Sequence, residues 1–147
     1  MSKSMTSSVF PDVNVWLALN YPPHIHHDAA ESWYASFRPS PVLAFCRLTQ
    51  LSLFRLLSAE AVLKQDALSQ RLCWEVYDEW ALSGDAVFVE EPAGVETAMR
   101  ARTGAESASP KIWADAYLAA SAETAQLTLV TLDHALAGKV KGAVLLS

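Results

Sequence analysis

Three aspartates stand where a carboxylate could do chemistry. Asp12 follows the short apolar run Val9-Phe10-Pro11 and comes directly before the helical pattern Val13-Asn14-Val15-Trp16-Leu17-Ala18-Leu19. Asp133 closes Thr128-Leu129-Val130-Thr131-Leu132 in the same way. Asp115 is the one carboxylate in Lys111–Ala122, a helical stretch that is apolar nearly all round. An aspartate ahead of a helix has a plain reading as its cap, and Asp12 alone would be read so. Two more acids in comparable settings ask for more, because an unpaired charge in apolar surroundings needs a cation, hydrogen-bond donors or water.

If a sheet brings these element ends together, three carboxylates share one cleft. They repel one another, and take up protons or a hard cation, for which Mg2+ (or Mn2+) with retained waters is the natural occupant. Such an ion makes a bound water more acidic, polarises a phosphoryl oxygen and stabilises a leaving oxygen. Spacing thus points to metal-dependent phosphoryl chemistry with Asp12, Asp115 and Asp133 as catalytic and metal-binding residues. Asn14, two residues after Asp12, is placed to orient that carboxylate or bind a water, and Thr131 offers a hydroxyl on the side of Asp133. A haloacid dehalogenase-like phosphatase would also place an aspartate after the first strand. Its mechanism requires a second aspartate two residues later, where this chain has Asn14.

The elements that must position these residues alternate. Strand propensity is seen at Val9–Pro11, Pro41–Phe45, Ala86–Val89, Thr128–Leu132 and Gly142–Leu146. Helical periodicity is seen from Val13, at Asp28–Phe37 (capped by Asp28 or His27), at Cys46–Ser58, at Lys64–Leu82 and around Val95–Arg102, and Ser109-Pro110 opens a further helix. The alternation predicts an α/β fold, one domain with a mainly parallel central sheet and helices on both faces. A flexible segment over 1–8 and a domain over 9–147 are expected. His24, His26 and His27 read as a solvated loop, since no repeat converges them on a metal. Glu90 and Glu91 read as solvated, and Arg47 and Arg55 as solvated or paired cations.

Composition limits the partners. The chain has 147 residues, 52% of them hydrophobic, and a formal net charge of −5. That excludes a disordered chain and a protein that holds nucleic acid by bulk electrostatics alone. Cys46 and Cys73 lack companions at ligand spacing and are expected to be reduced, buried thiols. No apolar run reaches the ~20 residues that cross a bilayer, and no secretory signal is visible, so a cytoplasmic protein without membrane contact is expected.

Taken together, Phe10-Pro11-Asp12-Val13-Asn14-Val15-Trp16-Leu17-Ala18-Leu19, Phe45-Cys46-Arg47-Leu48-Thr49-Gln50-Leu51-Ser52-Leu53-Phe54-Arg55-Leu56-Leu57, Ile112-Trp113-Ala114-Asp115-Ala116-Tyr117-Leu118-Ala119-Ala120 and Leu129-Val130-Thr131-Leu132-Asp133 resemble a PIN domain, and within that family the VapC toxins of bacterial toxin–antitoxin pairs. The resemblance implies a Mg2+-dependent endoribonuclease acting on RNA, dimeric, and silenced by a small cognate antitoxin. Asp12, Asp115 and Asp133 match the family's metal-site aspartates, and Asn14 and Thr131 their polar neighbours. Many members carry a further glutamate early in the third helix, where this chain has Thr49-Gln50; Gln50 is the candidate replacement. The alternative is a catalytically silent PIN domain that binds RNA or protein. Trp33, Trp74, Tyr77 and Trp80 are abundant enough that some are expected to serve a homodimer or antitoxin groove.

Overall fold

In the computed structural model, residues 8–37 and 42–147 are described, and the expected flexible segment lies, apart from Ser8, outside them. Strand β1 (Ser8–Pro11) is followed by α1 (Val13–Asn20), α2 (His27–Ala35), β2 (Val42–Phe45), α3 (Arg47–Leu57), the short α4 (Glu60–Leu63) and a 3-10 turn (Lys64–Asp66). Then come α5 (Gln70–Leu82), β3 (Ala86–Phe88), α6 (Val95–Arg102), α7 (Ile112–Ala125), β4 (Thr128–Thr131), α8 (His134–Lys139) and β5 (Val144–Leu145).

The five strands lie in the order β3-β2-β1-β4-β5, and every pairing is parallel. Successive side chains of a strand point to opposite faces, and burial follows that rule. Val9, Leu43, Phe45 and Val130 enter a core with α1, α3 and α5, in which Trp16 stacks on Phe45 at 3.7 Å between ring centroids. Phe10, Ala44 and Leu129 enter a second core against Leu118, Ala119 and Ala122 of α7 and Leu136 of α8. Helices therefore cover both faces, as the alternation of elements predicts.

Several local expectations are corrected. The single helix expected over Lys64–Leu82 is broken: Lys64 takes a positive φ of 55°, Leu68 donates its N–H to the Leu57 carbonyl at 2.7 Å, and Ser69 caps a new helix by accepting from Leu72 N. Ser109-Pro110 does not start α7, which begins at Ile112 with no side-chain cap. Pro110 and Lys111 form a turn that leads into the helix without belonging to it, and the buried residues of α7 begin only at Ala116. Neither Asp28 nor His27 caps α2; the ring of His27 instead meets the Ala18 carbonyl at 2.7 Å.

Of the aromatics, Trp33, Tyr77 and Trp80 pack against the first core, whereas Trp74 remains 50% exposed. Cys46 and Cys73 are free and buried. Among the described residues no helix is long and apolar enough to cross a membrane.

Candidate metal centre at the carboxyl edge of the sheet

The chain runs from β1 outward to β2 and β3, then returns to place β4 on the other side of β1. In parallel sheets the crevice at such a reversal, beyond the carboxyl ends of the strands, is where ligands bind. Asp12 and Asp133 stand at this point, one just after β1 and the other two residues beyond β4. The backbone fixes them: Asp12 N–H donates to the Val130 carbonyl at 2.9 Å, which docks the end of β1 onto β4.

Side chains complete the link. The Thr131 hydroxyl donates to Asp12 Oδ2, and Thr131 Oγ1 accepts the Asp133 N–H at 2.9 Å. Asp12 Oδ1 accepts from Val15 N at 3.2 Å, so this carboxylate is the cap of α1. Asp133 Oδ1 caps α8 by accepting from Ala135 N at 2.8 Å and Leu136 N at 3.2 Å. The capping reading holds for both residues, yet leaves lone pairs on their oxygens, since a carboxylate oxygen takes more than one hydrogen bond.

Asp12 is only 4% exposed. Burial pushes its carboxyl above the usual range, hydrogen bonds from Thr131, Val15 and Asn14 oppose that, and the charge of Asp133 adds to it. Asp115, in the first turn of α7, is likewise raised by burial and then by Asp133, with Lys139 acting in the opposite sense. Asp133 is therefore the charge that both other aspartates feel. Among the described residues, no three His, Cys, Asp or Glu side chains are gathered closely enough to hold a metal ion as they stand. The donor set nevertheless fits a hard cation: its oxygens are all carboxylate, and two of the three groups carry a negative charge that their surroundings disfavour.

The supporting residues differ in placement. Asn14 contributes its backbone N–H to Asp12, while its side chain is exposed. Gln50, in the first turns of α3, is 2% exposed, and its Oε1 accepts from the Arg47 guanidinium at 2.5 Å. Arg47 in turn lies 4.4 Å from the centroid of the Phe88 ring. Glu90 and Glu91 are exposed, with Glu91 accepting from the Tyr117 hydroxyl at 3.0 Å. The histidine loop belongs to no metal-holding group among the described residues.

Sequence reasoning missed Arg102 and Lys139. Both line a cleft of about 310 Å3 with Asp115. Arg102 is held there by Glu123 at 3.1 Å and by the Lys139 carbonyl at 2.9 Å. Those contacts join residues 21 and 37 positions apart, and no local pattern announces them.

The sequence model of the PIN domain matches residues 9–141. Ribonuclease VapC41 of Mycobacterium tuberculosis is 41% identical over 129 residues, which cover 84% of this chain and 88% of the relative. Ribonuclease VapC29 of the same organism is 35% identical over 133 residues, covering 88% and 89%. Among solved structures, Mycobacterium tuberculosis VapC20, described as a Sarcin-Ricin loop cleaving toxin, superposes with a TM-score of 0.62 at 17% identity, covering 89% of this chain and 94% of that one. VapBC2 from Rickettsia felis, crystallised with a DNA fragment from the promoter, gives 0.62 at 11% identity, covering 94% and 96%. At such identities the two superpositions speak for the fold alone.

Proposed function

The chain belongs to the PIN-domain family and is homologous to its VapC ribonucleases, and on that premise we propose that it is a Mg2+-dependent endoribonuclease, the toxin of a toxin–antitoxin pair. The observation that supports this best is geometric. Thr131 ties two of the acids together at the carboxyl edge of the sheet, donating its hydroxyl to Asp12 and accepting the backbone N–H of Asp133, while Asp115, in the first turn of α7, is raised by burial and then by the charge of Asp133.

In this reading Asp12, Asp115 and Asp133 would hold the ion, with Mn2+ as an alternative to Mg2+. When bound, the ion supplies an acidified water and a polarised phosphoryl oxygen for hydrolysis. The rest falls to the chain itself. Thr131 keeps Asp12 oriented while it holds the backbone of Asp133, so two carboxylates share one anchor. Burial of Asp12 limits water around it and strengthens its interaction with any cation. Arg102 and Lys139 bring positive charge to the cleft of Asp115, where an RNA phosphate approaching three acids needs it. With a net charge of −5, such local cations matter more than the overall field.

A small antitoxin encoded beside the gene, a homodimeric state and a cytoplasmic setting complete the proposal. Its test is direct: purified protein with Mg2+ or Mn2+ cleaves single-stranded or structured RNA, EDTA stops it, and Asp12→Asn, Asp115→Asn and Asp133→Asn each abolish cleavage. Full activity in Asp115→Asn overturns the assignment.

A PIN fold that binds without cutting is favoured by one observation, the engagement of Gln50 by Arg47 where many relatives carry an acid. It predicts RNA or protein binding that is indifferent to EDTA and to all three substitutions.

A further inference from the structure

One large aromatic next to the acidic edge belongs to neither core. Trp113 is 57% exposed in the first turn of α7, two residues ahead of Asp115. It lines a cleft of about 470 Å3 with Thr103, Ser107, Ser109 and Pro110, a size within the ~300–1,000 Å3 of small-molecule sites. Arg102 and Ile112 line both this cleft and the one that holds Asp115 and Lys139. The two recesses are therefore neighbours across one arginine. Trp113 also borders a third recess with Thr103 and the paired Glu96 and Arg100.

A flat apolar ring, hydroxyls and fixed positive charge beside a carboxylate centre is a combination that matches a nucleic-acid strand better than an apolar partner. Every base offers a π-face, and stacking on an aromatic side chain is how single strands are held without regard to sequence. Arg102 is oriented by its ion pair with Glu123 and by the Lys139 carbonyl, one on each terminal nitrogen. Lys139, in the last turn of α8, adds a second cation beside Asp115. We propose that Trp113 is a base-stacking platform for single-stranded RNA, placing one nucleobase in its cleft so that the neighbouring phosphates run past Arg102 and Lys139 toward Asp115. This rests on the ribonuclease reading and adds to it how the strand is gripped beside the cut.

The experiment measures binding of a short fluorescein-labelled single-stranded RNA to the full chain in EDTA, where no cleavage competes. Trp113→Ala should weaken binding roughly tenfold, and Trp113→Phe should retain most of the affinity. The same RNA carrying a single abasic nucleotide, moved along the strand, should lose a similar factor at one position when bound to the parent protein. It should lose nothing there when bound to Trp113→Ala. Equal affinity of parent and Trp113→Ala, with RNA still bound and cleaved, overturns the platform and leaves the ribonuclease standing. A parent that neither binds nor cleaves RNA overturns both. Loss of affinity that tracks a change in oligomeric state, by light scattering, assigns Trp113 to a contact between two copies and overturns the platform too. If Trp113→Ala fails to fold, Trp113→Leu carries the same comparison with the abasic series, since leucine fills the position without a ring on which a base can stack.

Discussion

Thr131 donates its hydroxyl to Asp12 across 119 residues of sequence, and the same oxygen accepts the backbone N–H of Asp133. One side chain therefore sets the relation between two of the three acids. Thr131→Val keeps the shape but leaves a buried carboxylate without its side-chain donor, which costs about 1–3 kcal/mol. Urea unfolding should show that loss, and Mn2+ titration calorimetry should show weaker binding. Thr131→Ser should restore both. A Thr131→Val protein with unchanged stability and metal affinity removes this residue from the site.

Asp12 makes metal-free stability depend on pH in an unusual direction. Burial pushes its carboxyl above the ordinary carboxylate range, so the folded state holds the proton more tightly than the unfolded one. Stability from this group is then present at low pH and lost as pH rises through the folded value, the reverse of a salt-bridged aspartate. In EDTA, Asp12→Asn should match the parent near pH 4 and melt higher than it at neutral pH, since asparagine keeps the cap. An Asp12→Asn protein that melts lower at neutral pH means the charge is compensated in the fold.

Asp133 has two separable tasks. As the cap of α8 its Oδ1 serves Ala135 and Leu136, and loss of such a cap costs about 0.5–2 kcal/mol. Asp133→Ala should therefore lose both stability and activity. Asp133→Asn should lose activity while keeping nearly all of the stability. Equal loss of stability in the two variants, read by thermal melts in EDTA, argues against a capping role.

Gln50 is engaged by Arg47, which changes what a carboxylate would do at this position. Gln50→Glu alone should pair with the guanidinium and tighten Mn2+ binding little. Gln50→Glu with Arg47→Ala should tighten it clearly, because hard cations favour carboxylate over amide oxygen. Calorimetry on both proteins checks this; unchanged affinity in the double variant leaves a centre of three aspartates.

Metal binding should stabilise the folded protein by an amount that grows with the logarithm of ion concentration above Kd. Melting temperature should rise as Mg2+ is added to the parent and stay flat in Asp133→Asn. A rise of the same size in both locates the ion elsewhere.

What the sequence determined by itself was set by local rules. Alternation along Val9-Phe10 and Leu129-Val130 specifies a sheet buried on both sides, and the polar punctuation between apolar runs specifies the order of elements. The positions of Asp12 and Asp133 at strand ends, and of Asp115 inside an apolar helix, are visible for the same reason, since a carboxylate interrupts a pattern that burial would otherwise continue. Weak local preferences were another matter. Ser109-Pro110 reads as a helix start and Lys64–Leu82 as one helix, but Pro110 and Lys111 form only a turn ahead of α7, and the bond from Leu68 to the Leu57 carbonyl breaks the second stretch. Only the tertiary structure decided that β4 lies beside β1, and with it that Thr131 reaches Asp12, that Asp133 is sensed by both other acids, and that Arg102 and Lys139 flank Asp115. Those relations join residues far apart in the chain, and they depend on strand order and helix docking, for which the local periodicity of a sequence carries no term.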